Sequence, residues 1–451
     1  MGEPDLGAIA AHIADGARRA EQVEVYVGRS THTEVRVFGG DVESLSSADT
    51  AGIGVRVIVD GRQGFAFAGS LDPSVTSDVL AEARDNAAFA TPDEFLGLAQ
   101  PDGVEPARLS LSRDDLDTVA TEEKVRMALA VEQATFAADP RIRAVESAGY
   151  GDTRSESAIF STAGIRVSSS RTTCSVYAHA VAGGTDNAAN QTGYGYSVGR
   201  HPDELDIEKA ASDAGLRATR LLGSVKPSSR RVTAVFDPVI TARFLGVLSA
   251  ALSAEAAQKG RSLFTGMVGE VVAASTLCLT DDPSDARAFG ASRFDAEGLA
   301  SRRNCLIEGG RLTGFLHNSY TARKAGVASN ACAVRGGYKS TPGVSSRALA
   351  LVPGTLLQDD LIRTIDEGLL VLSISGLHSG TNPVSGDFSV GVEGIVIRRG
   401  ELAEPIREAT VASTLSVMLN SIEGVGADVE WLRGGAAGVS LVVADLTLSG
   451  T

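Results

Sequence analysis

Six histidines are available for metal or acid–base chemistry: His12, His32, His179, His201, His317 and His378. A zinc hydrolase usually holds two ligands on one helix, as in H-E-x-x-H, with a Glu base beside the metal. No two of these histidines lie within five residues of each other, so a site would have to be assembled from distant positions. Single core-edge or surface histidines are the plainer reading. For nucleophilic chemistry, "GYSVG" at 195–199 fits G-x-S-x-G with Ser197 as the nucleophile. That motif works where a strand turns sharply into a helix, lifting the hydroxyl out. Here Arg200, His201 and Pro202 intervene and a helix is expected only from about Asp203, so Ser197 reads as a strand end. An autonomous serine hydrolase using Ser197 and a distant His is the alternative left open. The same stretch has G-x-G without dinucleotide-fold spacing, and there is no Walker A run. A last candidate is "GLHSGTNPVSGDFSVGVEG", which sets His378, Ser379, Asn382 and Asp387 on a glycine frame. Asn and Asp in such loops usually satisfy local backbone N–H groups. The four residues are therefore read as structural or ligand-lining rather than as catalysts.

The bulk composition narrows the classes. The chain has 451 residues, 43% hydrophobic and 22% charged, which is ordinary for a globular protein too long for one core. A net charge of −15 argues against nucleic acid and against an anionic membrane surface. Cys174, Cys278, Cys305 and Cys332 stand far apart with no C-x-x-C, so buried reduced thiols are expected. The start has no signal-peptide pattern. Met1-Gly2 invites myristoylation, but Leu6 stands where Ser or Thr is needed. With no apolar run near the ~20 residues of a membrane span, a cytoplasmic protein is expected.

The elements that would position these residues follow from periodicity. Leu6, Ile9, Ala10, Ile13 and Ala17 make a helix stripe. Alternating runs then turn at Gly39-Gly40 and Asp60-Gly61, pairs suited to the positive φ of type I′ hairpins. Helices are expected at about 73–90, with Val75, Val79, Leu80 and Ala83 inward, at 122–138, with Val125, Leu129, Val131 and Ala134 inward, and at 203–222. "ATPDEFLGLAQPDGVEPARLS" reads as a linker and "GSVKPSSRRV" as a second boundary. Asp237 caps a helix over 238–259 whose Ile240, Phe244, Val247, Leu248, Ala251 and Leu252 share one face. Hairpins over Gly309-Gly310 and Arg399-Gly400 follow. The expected fold is α+β and multi-domain: an N-terminal unit (1–105), a central unit (113–225) and a β-rich C-terminal unit (231–451), with twisted antiparallel sheets and flanking helices. No internal sequence repeat is evident.

Several stretches together resemble the TldD/PmbA metalloprotease family: "FDAEGLASRRNCLIEGGRLTGFLHNSYTARKAG", "SGLHSGTNPVSGDFSVGVEGIVIRRGEL", "AVFDPVITARFLGVLSAALSAEAAQKGRS", "YGYSVGRHPDEL" and the ending "SLVVADLTLSG". The resemblance implies a cytoplasmic heterodimer acting on unfolded or leader peptides. Its TldD-type subunit carries zinc on H-E-x-x-x-H plus a late Cys, and its PmbA-type subunit (TldE) lacks that motif. Aligned on "QKG", the motif positions are Leu245, Gly246 and Ala250, and no Cys follows Cys332. The resemblance thus implies a PmbA/TldE-type chain without catalytic or metal residues, with zinc in a TldD-like partner, an extended peptide as substrate, and His378, Ser379, Asn382 and Asp387 as cavity or peptide lining. A non-enzymatic homodimeric binding or modulator protein is the remaining alternative.

Overall fold

The computed structural model describes residues 4–183 and 190–450. The first half opens with helix α1 (Leu6–Asp15), strands β1 (Gln22–Phe38), β2 (Asp41–Val59) and β3 (Arg62–Ala68), and helix α2 (Pro73–Phe89). Helix α3 (Thr121–Ala138), strands β4 (Ile142–Ser161), β5 (Arg166–Ala182) and β6 (Gln191–Gly199), and helix α4 (Ile207–Thr219) follow. The order α-β-β-β-α thus occurs twice, a repetition of topology that the residues themselves do not display. β1 pairs antiparallel with β4, which merges the N-terminal and central units into one six-stranded sheet, β3-β2-β1-β4-β5-β6. Val23, Val25 and Val27 of β1 alternate onto the helix-covered face and are fully buried, as the period of two requires.

Two sets of glycines set how closely layers approach. A Cβ on Gly193 or Gly195 of β6 would lie 2.1 or 2.0 Å from the α4 carbonyls of Ala214 or Ala210. The glycines around Ser197 therefore let a helix lie directly on the strand. Gly64 of β3 does the same for α2, where Ala83 O would be 1.9 Å from a Cβ. On the opposite sheet face, a Cβ on Gly54 would meet Tyr338 O at 2.3 Å, so the C-terminal unit seats its backbone on β2.

The expected inward set of α3 holds only in part. Met127, Ala128, Val131 and Thr135 are buried, and so is the acidic Glu132, whereas Ala134 is half-exposed. Glu132 is inside because its two oxygens accept the Gly39 and Gly40 N–H groups at 2.8 and 2.9 Å, anchoring the β1–β2 turn. The segment read as a linker is also pinned: Arg323 donates to Phe95 O at 2.7 Å and to Gly97 O at 2.5 Å, and Leu98 and Ala99 are buried.

The C-terminal unit is built on β7 (Arg230–Phe236), β8 (Glu367–Ser375), β9 (Asp387–Arg398), β10 (Glu401–Thr414), β11 (Ile422–Val425) and β12 (Leu441–Ser449), in the order β10-β9-β8-β7-β12-β11. β10 also pairs with β12, closing the sheet on itself, and β7–β8 is a parallel pair within it. Helix α5 (Pro238–Ala251) follows β7 and packs on the largest core. The uninterrupted helix expected over 238–259 is broken. Ser253 is extended and bridges Leu316, Ala254 N–H donates to Leu316 O at 3.0 Å, and only then does α6 (Ala254–Gln258) form. The α+β, multi-domain organisation read from the sequence is the one observed. No described helix is long and apolar enough to cross a membrane.

The units meet at a buried ion network. Glu24 of β1 takes Arg56 of β2 at 2.6 Å on one oxygen and Arg335 of the C-terminal unit at 2.5 Å on the other. Glu297 lies 3.7 Å from Arg56 and accepts Ser319 N–H at 2.8 Å. Burial alone would raise the Glu24 carboxyl, but Arg56 and Arg335 outweigh it and hold the group below the ordinary carboxylate range.

Two predictions follow from these contacts. Gly193→Ala forces a methyl into backbone and is expected to cost about 3 kcal/mol. Gly151→Ala, whose Cβ would sit 3.7 Å from its nearest neighbour, stays within about 0.5 kcal/mol; urea unfolding of both variants checks this. Glu24→Gln leaves buried guanidinium groups undercompensated and is expected to cost about 3–5 kcal/mol. Because the folded Glu24 carboxyl is lowered, its contribution is present above the ordinary carboxylate range and is lost as pH falls below it. The stability gap between wild type and Glu24→Gln therefore narrows on acidification, which pH-dependent unfolding measures.

Candidate functional site

Asp237 ends β7 and caps α5, its carboxylate accepting Val239 N–H at 3.2 Å with Pro238 in the first turn. The apolar stripe of α5 then turns inward. Leu245 is fully buried, while Gly246 and Ala250 face outward and a Cβ on Gly246 would meet nothing. Positions five apart on a helix differ by about 140° around its axis, so Leu245 and Ala250 point to different surroundings.

The loop containing His378 comes to the same helix. Leu263 N–H, just after α6, donates to Pro383 O at 2.9 Å. Phe244 of α5 meets Phe388 edge-on at 6.1 Å between centroids, and Arg243 reaches Ile374 O at 3.5 Å. Gly376, at φ +73, starts a single helical turn over Leu377–Gly380. Asn382 accepts Val384 and Ser385 N–H groups at 2.9 and 3.3 Å, Asp387 accepts the Ser385 hydroxyl at 2.5 Å, and Ser379 donates to Gly376 O at 3.2 Å. Three of the four polar residues thus maintain the loop itself. His378 is exposed and has no hydrogen-bond partner among the described residues. Arg243, exposed on α5 beside this loop, has no sequence signature, because a lone Arg on the outer side of an apolar helix carries no motif.

The other sequence candidates stay apart. Ser197 lies within β6 rather than on a strand-to-helix elbow, and its hydroxyl accepts Asp206 N–H at 2.9 Å, so the local geometry for a nucleophile is missing. His32 bonds Thr153 at 3.0 Å, His179 meets Glu146 at 3.0 Å, and His201 meets Asp203 at 2.9 Å. His317 is buried, which lowers its pKa and favours the neutral ring. Among the described residues no group of three or more His, Cys, Asp or Glu is placed to hold a metal ion. All four cysteines are free. Cys174 and Cys332 are buried, but Cys305 is exposed, because it sits on the outward side of a short strand, Asn304–Glu308.

A second feature has no sequence signature. A groove of about 1240 Å³ opens between the outer face of the six-stranded sheet and the C-terminal unit. Asp295 faces it and accepts the N–H groups of Glu297, Leu299 and Ala333 at 2.9, 3.0 and 3.2 Å. Burial and the neighbouring Glu297 push the Asp295 carboxyl up.

Comparison with known proteins decides the family. Residues 23–90, 114–222 and 229–450 match, in order, domain 1, the central domain and the C-terminal domain of the PmbA/TldA metallopeptidases. The chain belongs to the PmbA/TldD metallopeptidase family. A metalloprotease of Methanothermobacter thermautotrophicus is 29% identical over 447 residues, 98% of this chain and 95% of that one. Metalloprotease PmbA of Escherichia coli is 25% identical over 418 residues, covering 91% and 89%. The structure of TldE from Thermococcus kodakarensis superposes with a TM-score of 0.86 at 21% identity over 99% of each chain, a likeness of fold.

The family name implies a metal, and the positions where the resemblance puts its motif do not fit one. A buried leucine, an outward glycine and an outward alanine supply no donor atom at 245, 246 and 250. These positions make a graded prediction. Gly246→Ala is expected to stabilise by about 0.5–1 kcal/mol, since an exposed helix-interior glycine gains backbone restriction without a clash. Ala250→His is near neutral, whereas Leu245→His costs about 3 kcal/mol by placing a polar ring in the core. Denaturant midpoints of the three variants test the order.

Proposed function

We propose that this chain is the metal-free, PmbA/TldE-type subunit of a two-subunit peptidase that acts on unfolded or leader peptides in the cytoplasm. The observation that carries the reading is the helix α5, which keeps the framework of its family but has Leu245, Gly246 and Ala250 where ligands and base would stand. In this reading the chain performs no bond cleavage. Zinc belongs to a TldD-like partner, where a metal-bound water would attack the peptide carbonyl. This chain contributes the wall of the substrate chamber and helps hold an extended peptide, with the His378 loop beside α5 as part of that wall. Support for a related partner comes from the relatives, which include a TldD homolog of Haemophilus influenzae matching 89% of this chain at 26% identity.

The test is native mass spectrometry of the tagged chain isolated gently from its own cells. The expected species is a one-to-one complex with a partner of similar size carrying one zinc, while the chain alone holds no stoichiometric zinc and cleaves no peptide. Hydrolysis by homogeneous, metal-free chain would overturn the reading. A zinc-free homodimer as the sole species would replace it with a binding or modulator protein.

A further inference from the structure

The floor of the large groove is written in the strand register. Thr50, Ser30, Ser155 and Arg171 lie side by side across β2, β1, β4 and β5, and Gly28, Ser157 and Ser169 form the next row. Alternation puts both rows on the face away from the helices. The hydroxyls of Ser30, Ser155, Ser157 and Ser169 have no hydrogen-bond partner among the described residues, so they are donors facing an open space.

Cations close one side. Arg171 donates to Phe289 O at 2.8 Å and to Ala291 O; Arg347 donates to Phe294 O at 2.9 Å and Ala331 O at 2.7 Å. Arg293 is exposed, with its guanidinium over the Phe294 ring at 5.4 Å. None of these three arginines has a described carboxylate within ion-pair distance, and the Arg347 Nε is buried without a partner. Burial together with Arg200 and Arg347 holds the Arg171 guanidinium down to about 10, so it stays charged at neutral pH.

The acids bordering the groove are otherwise engaged. Glu156 is held by Arg29 and Arg154, Asp5 caps α1, and Asp295 takes three backbone N–H groups. Asp114 is exposed at the rim. In a chain of net charge −15, five arginines (Arg29, Arg171, Arg293, Arg335 and Arg347) and four acids (Asp5, Asp114, Glu156 and Asp295) border the groove, so arginine is gathered beside a concave, hydroxyl-lined floor. Carboxylates match guanidinium groups and hydroxyl donors, and because Arg347 already acts on the Asp295 and Asp281 carboxyls, the exposed Arg293 is the groove arginine most open to an added acid. The volume exceeds what a single small ion needs and suits several residues of chain.

We propose that this groove binds an extended peptide through its carboxylates, with Arg293 and Arg347 supplying the countercharge and Ser155 and Ser157 donating hydrogen bonds. The assignment rests on the reading that the chain holds peptide, and names the class of peptide as acidic.

Fluorescence anisotropy on the intact chain tests it, using a labelled peptide of alternating Ala and Glu and a twin with Gln in place of Glu. The acidic peptide is expected to bind at least about tenfold more tightly than its twin, a difference of about 1.4 kcal/mol, and to weaken with added salt. Arg293→Gln, at an exposed position, is expected to lower affinity for the acidic peptide about tenfold and leave the twin unchanged; Ser155→Ala lowers it less. Inorganic phosphate is expected to compete with the acidic peptide alone. Equal binding of the two peptides overturns the carboxylate assignment and leaves the peptide-holding role standing. Binding of neither also overturns it, and the zinc-bearing partner in the native mass spectrum then decides the subunit role separately.

Discussion

One carboxylate shared by two arginines joins the halves of this molecule. Glu24 belongs to the N-terminal strand β1, Arg56 to β2 and Arg335 to the C-terminal unit, and all three are almost wholly removed from water. A charge in such a place persists only if paired, and an ion pair this deep gives little net stability over an apolar equivalent. It defines one docking geometry, because a shifted interface would strand charges in the interior. Glu297 and its bond to Ser319 N–H extend the network into the C-terminal unit. The groove lies directly beside this junction, and Arg335 borders both.

Much of the remaining docking uses arginines on carbonyl oxygens, alongside the Arg302–Asp102 ion pair and the Tyr320 hydroxyl on Asp93. Arg171 holds the 289–291 stretch and Arg323 the 95–97 stretch across the junction, while Arg347 fixes the Phe294 and Ala331 carbonyls within the C-terminal unit. Such bonds position backbone without neutralising the guanidinium. The consequence is a gathering of arginines inside an acidic protein, beside the serine-rich face that the sheet leaves uncovered. Close approach through glycine makes this arrangement possible. Gly193, Gly195 and Gly64 let helices lie on one face of the sheet, and Gly54 lets Tyr338 lie on the other.

Much of the secondary structure was legible. Hairpin turns at Gly39-Gly40, Asp60-Gly61, Gly309-Gly310 and Arg399-Gly400 all take positive φ, because the turn chemistry is local. The stripe of α5 was legible for the same kind of reason. Its end was not, since Ser253 leaves the helix to pair with Leu316, far along the chain. Glu132 is absent from the inward set that periodicity gives α3, because its partners, two N–H groups of a turn some ninety residues earlier, leave no mark on neighbouring residues.

The functional evidence divides along the same line. Whether a metal can bind at 245, 246 and 250 is a matter of which atoms the side chains carry, and residue identity alone settles that Leu, Gly and Ala carry no donors. The family likewise shows in ordered stretches of sequence. Only the tertiary structure decided that Ser197 serves a strand and a cap, that the His378 loop lies against α5, and that Ser30, Ser155 and Arg171 share a row. Those are distances between groups remote in sequence, set by strand register and packing. No local pattern of residues encodes them.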